Sequence, residues 1–246
     1  MNFFNSNFID SMNRKLYTHI NLLCIVILCI TLLGSGCKED DPTITDGSFI
    51  DMEGNEYPIG RMCDGKVWML KNLSISEFRN GEPIPYVNQE GWKDIPKYVA
   101  AHCTVLDSSA LEFEYGQLYN WYAVIDPRGL APEGWHVPTL EEWQELINCN
   151  GGNVVAGNKL KEAGTAHWNS GTGTNESGFN ALPGSRRIPM PDERLGEVAV
   201  FWTAEPNEDC SGATTPYYGT HDLGQEAYTN CGNNANGFSV RCVKDE

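Results

Sequence analysis

The sequence predicts a single α+β domain with two main helices, an irregular antiparallel sheet and long loops. Three observations lead there. Short β-branched and aromatic runs alternate with turn dipeptides over residues 48–73 and again over the last quarter of the chain, the pattern of antiparallel strands. Two central stretches carry apolar residues at helical spacing. The 25 glycines and 13 prolines leave little room for long uninterrupted elements, so turns and loops must connect them.

Regular structure is expected from Ser48. Residues 48–73 read as a small antiparallel meander, with Gly54-Asn55 and Asp64-Gly65 as turn dipeptides and Val67–Leu70 alternating between faces. Residues 78–112 hold Pro83, Pro85 and Pro96 amid mixed polarity and read mostly as loop. Tyr115, Leu118, Tyr119, Tyr122 and Val124 then recur at helical spacing, and Gly129 with Pro132 closes this first, aromatic-faced helix. The second helix opens at Thr139, whose hydroxyl can cap it while Glu142 reaches back, and it stops before Gly151-Gly152. Its buried stripe is Leu140, Trp143, Leu146 and Ile147. A short third helix is expected over residues 157–163, then a Gly/Asn/Thr-rich loop from Trp168 to Gly184 pinned by Phe179, Leu182 and Pro183. Strands follow at 198–204, 216–223, 225–230 and 238–243.

The N-terminus reads as an export leader. Ile20–Gly34 is nearly all apolar, shorter than the roughly 20 residues that span a bilayer, and follows Arg14 and Lys15. Met12 is the better start, because it places those bases at once before the apolar run. Gly34-Ser35-Gly36 before Cys37 resembles a lipobox, with Leu33 one place earlier than such motifs carry it. The expectation is therefore a signal peptide over residues 1–36, lipid on Cys37, and a tether over residues 37–47. An uncleaved anchor with Cys37 as an ordinary thiol gives the same compartment. Lys38-Glu39-Asp40-Asp41 resembles the acidic tract with which lipoproteins of the Bacteroidota reach the outer face of the outer membrane, and it also reads as a solvated tether. The expected location is the cell envelope, lipid-anchored to the outer membrane and facing outward.

Charge and cysteines fit that compartment. The chain holds 17 basic and 33 acidic residues; without residues 1–36, which include Arg14, Lys15 and Asp10, 15 and 32 remain, net −17. Nucleic acid and anionic lipid are poor partners for such a surface. Of the nine cysteines, Cys24 and Cys29 lie in the leader and Cys37 takes lipid, leaving Cys63, Cys103, Cys149, Cys210, Cys231 and Cys242. An even number in an oxidising compartment reads as up to three disulfides. With no C-x-x-C pair and no clustered His, metal ligation by these thiols is not expected.

Six blocks carry a resemblance: Val67–Leu73 (VWMLKNL), Tyr115–Val124 (YGQLYNWYAV), Gly134–Thr139 (GWHVPT), Glu142-Trp143, Gly178–Gly184 (GFNALPG) and Gly237–Cys242 (GFSVRC). In order and spacing they resemble the Fibrobacter succinogenes major paralogous domain over residues 48–246. That family occurs mostly in secreted and surface lipoproteins, and its biochemical role is not established. The Pro138–Trp143 block with a terminal Phe238–Arg241 strand is also similar to the sulfatase-modifying (formylglycine-generating) family and, more distantly, to C-type lectin-like domains. The resemblance thus implies a C-type lectin-like or sulfatase-modifying-factor-like plan. By the lectin analogy Cys210 bridges to Cys231. The other pairings stay open, although Cys63 to Cys103 and Cys149 to Cys242 would complete the set.

Chemistry has to come from a site, because a fold hosts many functions. No G-x-S-x-G elbow, H-E-x-x-H pair or phosphate loop is present, and Gly171–Thr174 lacks the lysine of a phosphate cradle. The paired reactive cysteines of formylglycine-generating enzymes have no counterpart around Cys242 and Cys231. His136 reads as a hydrogen-bonded core residue, as do Tyr119, Trp121 and Trp143 by their periodicity. The expectation is a non-enzymatic chain.

One string points to a ligand. Trp202 to Asp209, with Glu205-Pro206-Asn207, resembles the sugar and calcium loop of C-type lectins, in which carboxylate and amide oxygens hold Ca²⁺. The Trp-Asn-Asp strand that completes such a site is missing, and the turn also reads as a plain acidic surface loop. Calcium is the one cofactor to consider, through Trp202, Glu205, Asn207 and Asp209. Two functional classes follow: a surface binding or adhesion module for a glycan or another surface protein, or a structural component of a surface assembly with no small ligand.

Overall fold

The computed structural model describes residues 45–189, 194–206, 210 and 214–246. The leader, Cys37, most of the tether, Asn207 and Asp209 lie outside the described residues. The first strand begins at Thr45, three residues before Ser48.

The N-terminal meander is formed by β1 (Thr45–Ile50), β2 (Glu56–Arg61) and β3 (Val67–Met69), all antiparallel. Its first turn is built by Asp51, which is buried. Its Oδ1 accepts from the amides of Glu53 and Asn55, both at 2.9 Å, and its Oδ2 from Asn55 Nδ2 at 2.9 Å and the Tyr57 hydroxyl at 2.8 Å. Gly54 and Gly65 take φ of 86° and 84°, conformations open to glycine at no steric cost.

The stretch expected to be loop contains short elements: α1 (Gln89–Trp92), β4 (His102–Thr104), a 3₁₀ turn over Val105–Asp107, and α2 (Ser109–Tyr115). The fully buried His102-Cys103-Thr104 strand shows no alternation for a sequence reading to find.

The first main helix expected after Tyr115 is not one helix. Gly116, at φ 69°, ends α2, and the chain continues as β5 (Gln117–Asn120) and a one-turn α3 (Trp121–Val124). β5 is held between β4 and β10 (Gly237–Phe238). Asn120 forces the change: its Oδ1 accepts from Ala123 N, starting α3, and from Ala101 N, both at 3.0 Å. Every residue from Tyr115 to Val124 is buried, so the apolar spacing reflects enclosure on all sides rather than a helical face.

The second helix stands as read. α4 (Leu140–Cys149) carries a complete capping box, with Glu142 N donating to Thr139 Oγ1 at 3.2 Å and Thr139 N to Glu142 Oε2 at 2.9 Å. Trp143, Leu146 and Ile147 are buried while Leu140 is only half so. α5 covers Ala156–Leu160 and stops where Lys161 bridges to Ala181.

β6 (Trp135–His136), β7 (Val198–Trp202), β8 (Thr214–His221), β9 (Tyr228–Asn233) and β11 (Val243–Lys244) complete the chain. Among the described residues three antiparallel sheets result, in the orders β1-β2-β3-β11-β6, β10-β5-β4 and β7-β8-β9. The architecture is α+β. Trp143 stacks on Tyr218 at 4.6 Å and packs against Trp68 at 4.9 Å, joining α4 to two of the sheets. Among the described residues no helix is long and apolar enough to cross a membrane.

Two buried cations tie distant segments together. Arg241 donates to Asn72 Oδ1 at 3.1 and 2.8 Å and to Phe179 O at 2.6 Å, and it lies over the Phe179 ring at 4.4 Å. Burial pushes its guanidinium down to about 9, which still leaves it charged at neutral pH. Fully buried Lys161 gives Nζ to Thr172 Oγ1 (2.7 Å) and to the carbonyls of His221 (3.0 Å), Asp222 (3.0 Å) and Gly224 (2.8 Å). Burial pushes it down to about 8, with Asp222 and Glu226 opposing.

The cysteines depart from the expected set. Cys63 is bonded to Cys149 and Cys210 to Cys231, leaving Cys103 and Cys242 as buried thiols. Cys63 to Cys103 and Cys149 to Cys242 are not made: Cys103 lies in β4 beside Arg187 Nε at 3.3 Å, and Cys242 in the central core. The turn after β2 instead meets the end of α4, with a Cα–Cα distance of 5.8 Å between Cys63 and Cys149.

Candidate functional site

The expected ligand loop does not assemble as read. Trp202 is fully buried and donates Nε1–H to Tyr119 O at 2.7 Å, so it is a core residue and cannot face a ligand. Glu205 is exposed just beyond β7, while Asn207 and Asp209 lie outside the described residues. Among the described residues no cluster of three His, Cys, Asp or Glu side chains could hold a metal ion.

His136 is not in the core either. It sits half-exposed on β6 between Asp245 Oδ1 at 2.8 Å and the Glu142 carboxylate at 3.0 Å. The Glu142 hydrogen bond raises its pKa, against partial burial and with help from Asp245. Burial pushes Glu142 up, but His136 and the Thr139 amide bring it below its ordinary range. This bridge fastens the C-terminus to the capping box. Tyr119, Trp121 and Trp143 are buried, as their periodicity implied.

A cleft of about 730 Å³ lies elsewhere, between the meander and α2. That lies within the range of ligand sites. One wall is the Asp51-organised turn: Asn55 Nδ2 donates to Ser74 O at 2.6 Å, and Glu53 receives Ser76 N at 2.7 Å and Glu77 N at 2.9 Å. The opposite wall is α2. It docks by Ser74 Oγ donating to Glu112 Oε1 at 3.1 Å and by Gln117 N donating to Leu73 O at 3.0 Å. A Cβ on Gly116 would stand 2.7 Å from Leu73 O, so only glycine lets α2 come this close. Asn180, at φ 57°, and Leu182 close the end.

The lining combines Glu56, Glu112 and Glu114 with Asn55, Asn180, Ser74 and Ser109. Phe113 stands on the lip, 80% exposed, with Lys71 Nζ 4.1 Å from its ring centroid. Burial lowers the Lys71 pKa, opposed by Glu114. Three carboxylates beside one ammonium repel anions, whereas amides, hydroxyls and an aromatic face suit a neutral polyhydroxyl ligand.

The sequence reading singled out none of these residues as a site. One signal was available: in the 109–115 segment, Leu111 and Tyr115 form the inward pair four residues apart, and Phe113 falls off that stripe. An aromatic on the wet face of a short helix is that signal, and Lys71 stands over one face of its ring.

The model of the Fibrobacter succinogenes major domain matches residues 62–244, covering both β3 and α2 and every block of the resemblance. Neither a curated protein nor a solved structure matches the chain.

Proposed function

The chain belongs to the Fibrobacter succinogenes major domain family, and on that premise we propose that it is a cell-surface lipoprotein whose domain is a non-catalytic glycan-binding or adhesion module. Lipid on Cys37 holds it at the outer membrane, and the cleft between the meander and α2 takes the ligand. The observation that carries this reading is Phe113, an 80% exposed aromatic on the rim of a cleft lined with amides, hydroxyls and carboxylates. An aromatic face that packs on the C–H side of a sugar ring, with polar groups at its edge, is a general means of holding a polyol.

A C-type lectin-like plan belongs to the same proposal. It is supported by α4 packed on antiparallel sheet, by β11 returning to pair with β3, and by the Cys210–Cys231 bridge. The test is a glycan array probed with the full chain in detergent. Retention of at least one neutral oligosaccharide is expected, falling by about tenfold or more in Phe113→Ala, the equivalent of one lost stacking contact. Absence of any retained glycan, or full retention by Phe113→Ala, overturns the reading and favours the structural component with no small ligand.

A further inference from the structure

Behind the cleft wall, the ring of His167 stands between two carboxylates. Nε2 is 2.9 Å from Glu114 Oε1, and Nδ1 is 2.8 Å from both oxygens of Glu162, while Tyr115 meets the ring edge-on at 5.6 Å. An ionised carboxylate only accepts, and a neutral imidazole has a single N–H. Both bonds therefore exist together only in the imidazolium. Histidine is the side chain whose charge changes between pH 5 and 8, so the clasp is complete below the ring's titration and is lost as pH rises through it.

What moves when the proton leaves is set by the anchors. Trp168 is buried and gives Nε1–H to Ala181 O at 3.0 Å, and Glu162 N donates to the same carbonyl at 3.1 Å, which holds the chain on either side of His167. α2 is held by its close approach at Gly116 and by the bond from Ser74 Oγ to Glu112. The freedom left is in the two carboxylate side chains, 16% exposed in Glu162 and 44% in Glu114. The more buried one loses more without a donor, so the remaining proton stays on Nδ1 with Glu162. Nε2 then turns a lone pair toward Glu114, which lets go.

Lys71 is the partner within the cleft. It lines the cleft together with Glu114, its Nζ lies 4.1 Å from the centroid of the Phe113 ring, and Glu114 favours its charged form against burial. A free carboxylate attracts an ammonium more strongly than a ring face does. The titratable groups about His167 are then Glu114 and Tyr115 from α2 and Glu162 from its own segment, with Lys71 beyond Glu114. Burial, Glu114 and Glu162 push the Tyr115 hydroxyl above its ordinary value, so it stays neutral throughout.

We propose that His167 is a proton-operated switch on this cleft: as imidazolium it keeps Glu114 and leaves Lys71 on Phe113, and as neutral imidazole it releases Glu114 to Lys71 and bares that face of the ring. The switch needs no ligand, and only its effect on a sugar rests on the glycan reading above.

The test uses the full chain in detergent, with histidines ¹⁵N-labelled and lysines reductively ¹³C-dimethylated, a change that keeps their charge. The signal lost in Lys71→Arg identifies Lys71. At pH 5 its methyls should lie upfield of free dimethyl-lysine, shielded by the Phe113 ring, and both His167 nitrogens should be protonated. Between pH 5 and 8 the methyls should move downfield in one step, at the midpoint at which His167 titrates, with Nδ1 keeping its proton. His167→Gln and Glu114→Gln should each abolish the step. Methyls that do not move at that midpoint overturn the switch. So does a step that survives His167→Gln, or a His167 ring that is neutral at pH 5, doubly protonated at pH 8 or protonated on Nε2 alone.

A glycan retained through Phe113 should be held about two- to fivefold more tightly at pH 8 than at pH 5, the weight of one exposed cation–π contact, and equally at both in His167→Gln. A methyl step in a chain that retains no glycan means that the glycan reading fails and the switch stands. A retained glycan beside motionless methyls means that the switch fails and the glycan reading stands.

Discussion

Replacing both Cys63 and Cys149 by Ser removes a bridge that closes a chain segment of 86 residues, whereas the Cys210–Cys231 bridge closes 21. In the loop-entropy treatment the longer closure limits the unfolded chain by about 4.6 kcal/mol and the shorter by about 3.3 kcal/mol. Cys63 and Cys149 are exposed, so serine there buries no new hydroxyl. The change also removes the 3.2 Å approach of Asn150 Nδ2 to Cys63 Sγ, but that amide keeps the Leu146 carbonyl at 2.8 Å. The destabilisation is therefore almost wholly the unfolded-state term. For a domain of this size it lowers the melting temperature by roughly 9–18 °C, against roughly 7–13 °C for the Cys210→Ser/Cys231→Ser pair.

Calorimetry and urea denaturation of the two double variants measure the difference directly. A third variant tests the pairing itself. In the chain without its leader and with Cys37 lipidated, Cys103→Ala should leave no thiol reactive to Ellman's reagent, because Cys242, the other thiol among the described residues, is buried and both bridges persist. A reactive exposed thiol in Cys103→Ala, the signature of a freed Cys63, refutes the reasoning. So does a greater loss from breaking the 21-residue closure than from breaking the 86-residue one.

Three further outcomes follow from named interactions. His136 has a raised folded pKa, so its bridge contributes fully below the unfolded value near 6.5 and is lost as pH rises through the folded value. Glu142, with its folded pKa lowered, contributes above its unfolded value and loses that as pH falls through the folded one. Urea midpoints of wild type and His136→Gln should therefore differ most near pH 5.5–6 and converge by pH 8.5, the gap staying within about 1 kcal/mol because the ring is half-exposed. Lys161→Met leaves three carbonyls and the Thr172 hydroxyl without their shared donor. It should cost about 3–5 kcal/mol, with hydrogen exchange rising first around residues 221–224. Gly116→Ala places a Cβ 2.7 Å from Leu73 O at φ 69°. A loss of about 2 kcal/mol or more in thermal melts is expected, together with faster exchange in α2.

What the sequence made legible was what neighbouring residues decide. The Thr139–Glu142 capping box lies within one turn, and the Gly54 and Gly65 turns within one hairpin each, so their chemistry shows in a short window. The 115–124 segment misled because complete burial erased the difference between a strand and a helix. Partners of Cys63 could not be read because packing of α4 against the meander, 86 residues away, chooses Cys149. The cleft shares that difficulty. Its walls come from residues 54–58, 70–74, 109–114 and 180–182, and although 70–73 and 180–182 fall in family blocks, neither string by itself marks a cleft.

The blocks that identify the family mostly build the interior, and this separates what the family shares from what an individual chain binds. Val67–Leu73 meets Gly237–Cys242 through Met69 N to Cys242 O at 3.0 Å, Leu73 N to Val240 O at 2.8 Å, and the Arg241–Asn72 pair. Gly178–Gly184 supplies Phe179, whose ring and carbonyl both hold Arg241. Lys71 and Asn180 reach the cleft from these blocks, whereas Glu56 and Phe113 stand between blocks, on its rim. Interior and rim should then answer differently to substitution. Arg241→Met strands the Asn72 and Phe179 oxygens in the core and should cost about 3–5 kcal/mol. Glu56→Gln and Phe113→Ala should each stay within about 0.5 kcal/mol of wild type in urea denaturation while changing which glycans the array retains. Rim variants that unfold the domain, or that leave the glycan profile of a binding-competent chain untouched, would place recognition somewhere other than this cleft.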